Sequence, residues 1–134
     1  KLVDHDPETK PLAIEVQDGS KLIGYMSLSF TDPQRLQVTF SISLNRKFQR
    51  QGFAREALVA LLTFCFEGLK LHRVAGWCDG RNTAACRLLE KVGLRREGEF
   101  VKSRWLHGEW ANSLWYAMLR DEFNQAPTNP APSA

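Results

Sequence analysis

The sequence predicts a mixed α/β domain built on a mostly antiparallel sheet with one β-α-β crossover. Two observations carry this prediction. Every second residue from Leu36 to Leu44 is apolar, which is the pattern of a strand with one buried face. After a basic turn, apolar residues recur at helical spacing from Ala54 to Leu69, and a further strand is predicted over 72–78. A strand, a helix and a strand in this order close as a right-handed crossover, so the two strands should be parallel.

The antiparallel part of the sheet is predicted from turn residues. Residues 12–30 should form a hairpin around Asp18-Gly19, because Asp-Gly between two β-type runs is a strong hairpin signal. Pro33 then ends the hairpin, since proline lacks the donor of a strand ladder. Three antiparallel strands should therefore precede the first helix.

The second half of the chain predicts one more helix and a closing hairpin. Residues 83–92 should be helical, with Asn82 as the N-cap and Gly93 just past the end. The last two strands, predicted over 94–105 and 111–119, should pair around a His-Gly turn. The element order is then β-β-β-α-β-α-β-β.

Length and composition fit a single domain. The chain has 134 residues and is 43% hydrophobic, enough to bury roughly two-thirds of its unfolded surface. The domain should span residues 1–123, with residues 1–11 as a lead-in loop. Residues 124–134 hold three of the six prolines and should form a disordered tail. Because the first residue is Lys rather than Met, an N-terminally incomplete fragment is a further hypothesis.

Charge and cysteine content limit the kinds of ligand that the chain could bind and the cellular compartment in which it could work. A net charge of +3 is too small for the dense positive patch of a nucleic-acid binder, but it suits a small polyanionic ligand. The three cysteines lack metal-like spacing, which predicts buried thiols and no metal cofactor. The sequence shows no signal peptide and no long apolar run, so we expect no membrane segment and a cytoplasmic location.

The turn before the first helix is a candidate ligand site. Residues 45–52 are polar and basic and end in Gly52. A helix start presents N–H groups and the positive end of the helix dipole, which together can hold a phosphate. A glycine there lets oxygens approach the backbone and permits a positive φ. The alternative is that Gly52 only ends a loop and that the basic residues are solvated.

Two motifs resemble the GNAT superfamily of N-acetyltransferases. Residues 49–54, Gln-Arg-Gln-Gly-Phe-Ala, match Q/R-x-x-G-x-G/A and are similar to its acetyl-CoA pyrophosphate loop. Residues 82–94 match N-x-x-A-x-x-L-φ-E-K-x-G-φ, its second signature, where φ is apolar. The run Gly108-Glu109-Trp110 before the last strand is similar to the RimJ/RimL branch, which acetylates ribosomal-protein N-termini. The resemblance covers residues 12–119.

The resemblance implies that acetyl-CoA is the acetyl donor and that a primary amine is the acceptor. Backbone groups at the end of the third strand should bind the pantetheine arm as an added strand would. Residues 50–55 should wrap the pyrophosphate, and Asn82 should bond the pantetheine region, act as a plain helix cap, or do both. The expected cofactor-binding residues are Ile42, Ser43, Leu44, Gln49, Arg50, Gln51, Gly52, Phe53, Ala54, Arg55 and Asn82.

The acid expected from the resemblance is missing. Many relatives carry a Tyr acid where this chain has Leu89, and RimL-like relatives carry a Ser where it has Ala85. Cys86 is adjacent and is a candidate acid, although a thiol among small apolar residues is also typical of packing. Some relatives place a Glu base five residues before the Asn, where this chain has Trp77.

The base that takes the amine proton has several candidates. Glu15 on the first strand is the leading one, although it also suits a solvent-facing position on an alternating strand. Asp79, His72 and His107 are alternatives, and a chain of waters is another.

Two functions follow from this pattern. The first is an acetyl-CoA-dependent N-acetyltransferase acting on a protein N-terminus, a polyamine or a small molecule. The second is a catalytically silent acyl-CoA-binding or interaction domain, suggested by the missing acids and by the lack of room before residue 12 for the helical segment that walls the acceptor pocket of the superfamily. Exposed Trp residues on the last hairpin would further suggest a homodimer or an apolar acceptor pocket.

Overall fold

One sheet of six strands organises the fold. The computed structural model describes residues 9–15, 22–44 and 52–125. The strands are β1 (Thr9–Glu15), β2 (Leu22–Phe30), β3 (Gln37–Leu44), β4 (Arg73–Asp79), β5 (Arg95–Leu106) and β6 (Glu109–Leu119). The helices are α1 (Phe53–Thr63), which continues into a π-helical turn (Phe64–Gly68), α2 (Thr83–Val92) and α3 (Arg120–Gln125).

The sheet confirms the predicted fold class. Its strand order is β1-β2-β3-β4-β6-β5. Strands β3 and β4 are parallel and are connected through α1, whereas every other neighbouring pair is antiparallel. The parallel pair places the carboxyl ends of β3 and β4 at one edge of the sheet, where α1 and α2 begin.

The core lies between one face of the sheet and the two longer helices. Val38 and Phe40 of β3 are buried, as their alternation predicts, and Leu58 and Leu61 of α1 pack in the same cluster. Helix α2 adds Leu89 to it. Both helices therefore cover the same face of the sheet, which brings their N-termini to the edge where β3 and β4 end.

Several element boundaries differ from those predicted. Strands β5 and β6 span 95–106 and 109–119 rather than the predicted 94–105 and 111–119. Leu36 lies outside β3 and is 44% exposed, because Asp32 accepts its N–H at 2.9 Å and holds it in the preceding turn. Strand β1 begins at Thr9, so the last residues of the expected lead-in loop belong to the sheet. Strand β4 spans Arg73–Asp79 and is one residue out of step with the predicted 72–78.

The predicted first helix does not stay regular to its end. From Phe64 the chain forms a π-helical turn, in which the Leu69 N–H donates to the Phe64 carbonyl at 2.9 Å. The wider turn keeps Cys65 and Phe66 buried. The apolar spacing at this point does not distinguish a π turn from an α turn, so the sequence could not predict the change.

Helix α3 was not predicted at all. It covers residues 120–125, so Asn124 and Gln125 are helical rather than part of the expected tail. The Glu122 carboxylate accepts the Leu119 N–H at 2.8 Å, and the Phe123 ring stacks on Phe66 at 5.1 Å. These tertiary contacts hold a segment too short to be helical alone. The rest of the tail and the Asp18-Gly19 turn lie outside the described residues.

Candidate functional site

The most prominent feature of the sheet is the place where β3 and β4 stop pairing. Their ladder runs from Gln37 with Arg73 to Phe40 with Gly76. Both strands continue, to Leu44 and Asp79, without further register partners between them among the described residues. A cavity of about 360 Å³ opens beside this point. It is lined by Phe40, Ser41, Ile42, Leu58, Trp77, Cys78, Asp79, Asn82, Ala85, Leu88, Leu89, Leu106 and His107.

The end of β3 offers one strand edge to this gap. On the side of β2, Ile42, Ser43 and Leu44 are paired in register with Met26, Tyr25 and Gly24 respectively. On the side of β4 the ladder has already ended. An unpaired strand edge presents alternating N–H and C=O groups that an extended ligand can pair with. Ile42 is half-buried and also lines the cavity.

Helix α1 starts at a glycine in the left-handed conformation. Gly52 is its N-cap, in the left-handed conformation with φ 85° and ψ −6°. A Cβ at this position would meet nothing within 4 Å, so the space beside the backbone is open. The first helical residues are Phe53, Ala54 and Arg55, and the N–H groups of a first turn lack acceptors within their helix. Gln49, Arg50 and Gln51 lie outside the described residues.

Asn82 joins the start of α2 to the cavity. Its Oδ1 accepts the Ala85 N–H at 3.0 Å, which is an N-cap bond, and the residue also lines the cavity. Capping uses the carbonyl oxygen of the side chain and leaves the two donors of the amide nitrogen for another partner. The structure is thus compatible with both roles considered for Asn82.

Cys86 lies behind the cavity wall rather than in it. Its Sγ is 2.8 Å from the Sγ of Cys78, and the two residues are 6% and 8% exposed. Cys78 lines the cavity, whereas Cys86 does not. Burial, together with the hydrogen bond to Cys86, raises the pKa of the Cys78 thiol to about 12. These contacts favour packing for both thiols, and the positions of the missing acids, Ala85 and Leu89, present apolar side chains to the cavity.

Asp79 lines the cavity but its carboxylate is already engaged. Arg81 donates to Asp79 through Nε at 3.0 Å, through a terminal nitrogen at 2.7 Å and through its backbone N–H at 2.9 Å. The side-chain hydrogen bonds of Arg81 hold the pKa of the Asp79 carboxyl below its usual range. Arg81 also pairs with Glu109 at the start of β6. A carboxylate stabilised in this way is a poor proton acceptor.

The other base candidates are divided between the two ends of the sheet. His107 lines the cavity from the turn between β5 and β6. His72 precedes β4 at the opposite end, where its N–H donates to the Leu36 carbonyl at 2.8 Å. Glu15 ends β1 at the cavity end of the sheet. Strands β2 and β3 lie between β1 and the cavity, and neighbouring strands are spaced about 4.8 Å apart. The structure therefore brings Asp79 and His107 to the cavity.

Sequence reasoning missed part of the cavity wall. Trp77 and Cys78 line it from the end of β4, and Arg104 stacks its guanidinium 4.0 Å above the Trp77 ring. Leu106 closes it from β5. The end of a parallel strand is the usual position for ligand contacts, and this rule could have pointed to Trp77 and Cys78. No sequence signal places Leu106, since it reaches the cavity from a different hairpin.

Neither a metal cluster nor a membrane span is found in the described part of the chain. Within these residues no three His, Cys, Asp or Glu side chains come close enough to hold a metal ion together. No described helix combines the length and the apolar character needed to cross a membrane.

Comparison with known sequences gives one family and several relatives. A family model described as acetyltransferase (GNAT) domain matches residues 3–95. The uncharacterized N-acetyltransferase YnaD of Bacillus subtilis is 38% identical over 80 residues, which are 60% of this chain and 47% of that protein. The spermidine N(1)-acetyltransferase of Escherichia coli K12 is 23% identical over 119 residues, or 89% of this chain and 63% of that protein. The chain thus spans about half to three-fifths of these relatives.

Solved structures share the fold. An acetyltransferase of the GNAT family from Bacillus anthracis has a TM-score of 0.72 and 31% identity, over 85% of this chain and 67% of that one. A dodecameric spermidine N-acetyltransferase from Vibrio cholerae has a TM-score of 0.83 and 24% identity, over 91% and 71% of the two chains. The second likeness shows the fold alone.

Proposed function

Because this chain belongs to the acetyltransferase (GNAT) family, we propose that it transfers an acetyl group from acetyl-CoA to a primary amine. The observation that carries the proposal is the gap between β3 and β4 beyond Phe40 and Gly76. Its strand edge and its cavity suit an extended arm that ends in a small acyl group. The gap opens between two strands that are paired up to Phe40 and Gly76, so strand backbone rather than loop backbone borders it.

The proposed positions of the pyrophosphate, the pantetheine arm and the thioester follow one another along the edge of the sheet. The pyrophosphate binds at the start of α1, where Gly52 leaves the backbone open. The pantetheine arm lies along the free edge of residues 42–44 and pairs with their backbone groups. The amide nitrogen of Asn82 donates to the arm while its oxygen caps α2. The thioester then lies in the cavity between Phe40 and Asn82.

The reaction needs little help with its leaving group. A neutral amine attacks the thioester carbonyl, and the tetrahedral intermediate collapses with loss of the CoA thiolate. A thiolate leaves without prior protonation, so apolar residues at Ala85 and Leu89 are compatible with turnover. Holding the amine against the thioester supplies several kcal/mol of the barrier reduction.

The acceptor that best fits the cavity mouth is a cationic amine. Asp79, Arg81 and Glu109 form one cluster there, with two acidic groups and one basic group. Glu109, the more exposed of the two carboxylates, can attract an alkylammonium ion before deprotonation. Polyamines and protein N-termini meet this requirement, and spermidine is the substrate named for two of the relatives. We also propose that the chain belongs to the RimJ/RimL-like branch of this family.

A homodimer through the last hairpin is a further part of the proposal. Trp105 and Trp110 face each other across β5 and β6 with ring centroids 5.4 Å apart, and they are 61% and 57% exposed. Two large exposed aromatic rings side by side are typical of an interface.

Thiol release from acetyl-CoA tests the function directly. The natural full-length protein is assayed with spermidine, a short peptide with a free N-terminus and benzylamine, and calorimetry measures CoA binding in parallel. Release that depends on an amine is the expected result. CoA binding without any amine-dependent release would contradict the enzyme and support the silent acyl-CoA-binding domain, which the missing acids at Ala85 and Leu89 favour. Failure to bind CoA would contradict both.

A further inference from the structure

We propose that His107 is the general base that takes the proton from the amine acceptor. This inference rests on the proposed function and assigns a residue that the two sequence signatures do not contain.

Few of the side chains that line the cavity could act as this base. Its titratable side chains, within the part of the chain that the structure describes, are Cys78, Asp79 and His107. Cys78 is buried against Cys86 and holds its own proton. The Asp79 carboxylate already accepts hydrogen bonds from three N–H groups of Arg81. The imidazole of His107 is exposed, and imidazole is the commonest general base in enzymes.

The backbone at His107 is in the left-handed region, which few residues other than glycine adopt. Its φ is 53°, and Gly108 follows with φ 83°, so both residues of this two-residue turn lie in the left-handed region. Such a turn prefers Asn or Asp before Gly. Among the described residues, Arg35, Lys70, Lys102 and His107 are the non-glycine residues with positive φ, and of these only His107 lines the cavity. Here the strained residue carries a proton-accepting group.

The turn is also fixed in place relative to the cavity. Arg81 bonds Asp79 at the end of β4 and pairs with Glu109, two residues after His107. The Gly80 N–H donates to the Asn112 carbonyl of β6 at 2.9 Å, which ties the same two segments together. These contacts join the β4–α2 loop to the β5–β6 hairpin on either side of His107, which lines the same cavity as Asn82.

Charged side chains from three elements lie around the turn. The charged groups nearest to the turn are Asp79 and Arg81 of the β4–α2 loop, Glu109 of β6 and Arg104 of β5, which covers Trp77.

The proton balance of the step is simple. A ring nitrogen of neutral His107 accepts one proton from the bound ammonium ion. The neutral amine so formed bonds to the thioester carbon, and its nitrogen loses the second proton to water. The carbon–sulfur bond then breaks, and its electron pair leaves with sulfur as the CoA thiolate. The imidazolium passes its proton to water, since the side chain is exposed to solvent.

The test compares His107→Asn with His72→Asn in the full-length protein. Asparagine suits the left-handed turn better than histidine, so His107→Asn should melt at the wild-type temperature or about 2 °C above it. Its kcat at pH 7, with whichever panel amine is the best acceptor, should fall about tenfold or more. The KM for acetyl-CoA should change by less than about twofold, because the cofactor's anchors are untouched. His72→Asn removes an exposed imidazole from the far end of β4 and should match the wild type.

A pH profile separates a base from a structural residue. As the pH rises towards the pKa of the acceptor amine, solution supplies more neutral amine, so the deficit of His107→Asn should shrink. A kcat within about threefold of wild type, or a deficit that does not change with pH, would overturn the proposal. If the unsubstituted protein binds CoA but acetylates no amine, the proposed function itself fails, and the assignment of His107 fails with it.

Discussion

The ring of Phe40 occupies the space that a side chain on Gly76 would need. A Cβ built on Gly76 would lie 2.5 Å from Cζ of Phe40, and these two residues are the last pair of the β3–β4 ladder. The buried ring therefore fills the point from which the two strands separate. Gly76 thus leaves the room that the Phe40 ring occupies at the last pair of the ladder.

Gly76→Ala is expected to destabilise the protein and to weaken CoA binding. The new methyl group must displace the buried Phe40 ring, and overpacking of this kind costs about 1–3 kcal/mol. The displaced ring would enter the cavity that it lines. Urea denaturation and calorimetry measure the two effects. Gly98→Ala is the matched control, since a Cβ there meets nothing within 4 Å and should change stability by less than about 0.5 kcal/mol.

Gly52→Ala tests the pyrophosphate site. The new Cβ lies in open space but beside the backbone where the phosphates bind, so we expect CoA affinity to fall by about tenfold or more. Gly108→Ala is the control for backbone strain, because its φ of 83° is close to the 85° of Gly52 and its Cβ is equally unobstructed. Both variants should lose about 1 kcal/mol of stability. Equal CoA affinity in the two variants would contradict the role of Gly52.

Asn82 allows its two roles to be separated by two substitutions. Asn82→Asp keeps an oxygen that accepts the Ala85 N–H, so stability should be retained, but it loses both amide donors and should bind CoA more weakly. Asn82→Ala should bind CoA weakly too and should also lose about 1 kcal/mol of stability with the cap. Thermal melting and calorimetry distinguish the cases. Wild-type CoA affinity in Asn82→Asp would show that the residue is only a cap.

Glu97 should make stability depend on pH at the far end of the sheet. Arg73 and Arg95 donate to its carboxylate at 2.7 and 3.0 Å, and the hydrogen bond from Arg73 is the main reason that its pKa falls from 4.5 to about 2. Because the folded pKa is lowered, the contribution is complete above about pH 4.5 and is lost as the pH falls towards 2. The pair is partly exposed, so the contribution should be about 1 kcal/mol or less.

The measurement compares the free energy of unfolding of wild type and Glu97→Gln between pH 2 and 7. The difference should be largest at neutral pH and should vanish near pH 2. Glu67→Gln removes the same charge from an exposed residue of the π-helical turn and serves as the control. A difference for Glu97→Gln that stayed constant over the whole range would refute the ion-pair explanation.

The exposed Trp pair predicts a concentration-dependent assembly. Replacing both Trp105 and Trp110 by Ser should shift the protein from dimer to monomer in sedimentation velocity, because the two rings supply most of the apolar area at the tip of the hairpin. Val59→Ser, which removes an exposed apolar side chain from α1, should leave the assembly unchanged. A wild type that is monomeric at all concentrations would contradict the prediction.

The sequence predicted the fold, and it placed Gly52 and Asn82 at the starts of two helices. The alternation over 36–44, the helical spacing after it and the order of elements determined that β3 and β4 would be parallel and would end beside two helix starts. Gly52 and Asn82 were identified for the same reason, since N-caps and left-handed turns have local residue preferences. These features depend on neighbours within a few residues, and such neighbours are visible in a sequence.

Only the tertiary structure decided which groups share the cavity. It brings His107 and Leu106, from the last hairpin, to the ends of β3 and β4, while Cys86 pairs with Cys78 behind the wall and His72 lies at the opposite end. It also determines that Phe40 and Gly76 form the last ladder pair and that Arg81 ties Asp79 to Glu109. These contacts join residues that are far apart in the chain, and their geometry depends on how strands and helices pack rather than on any local preference.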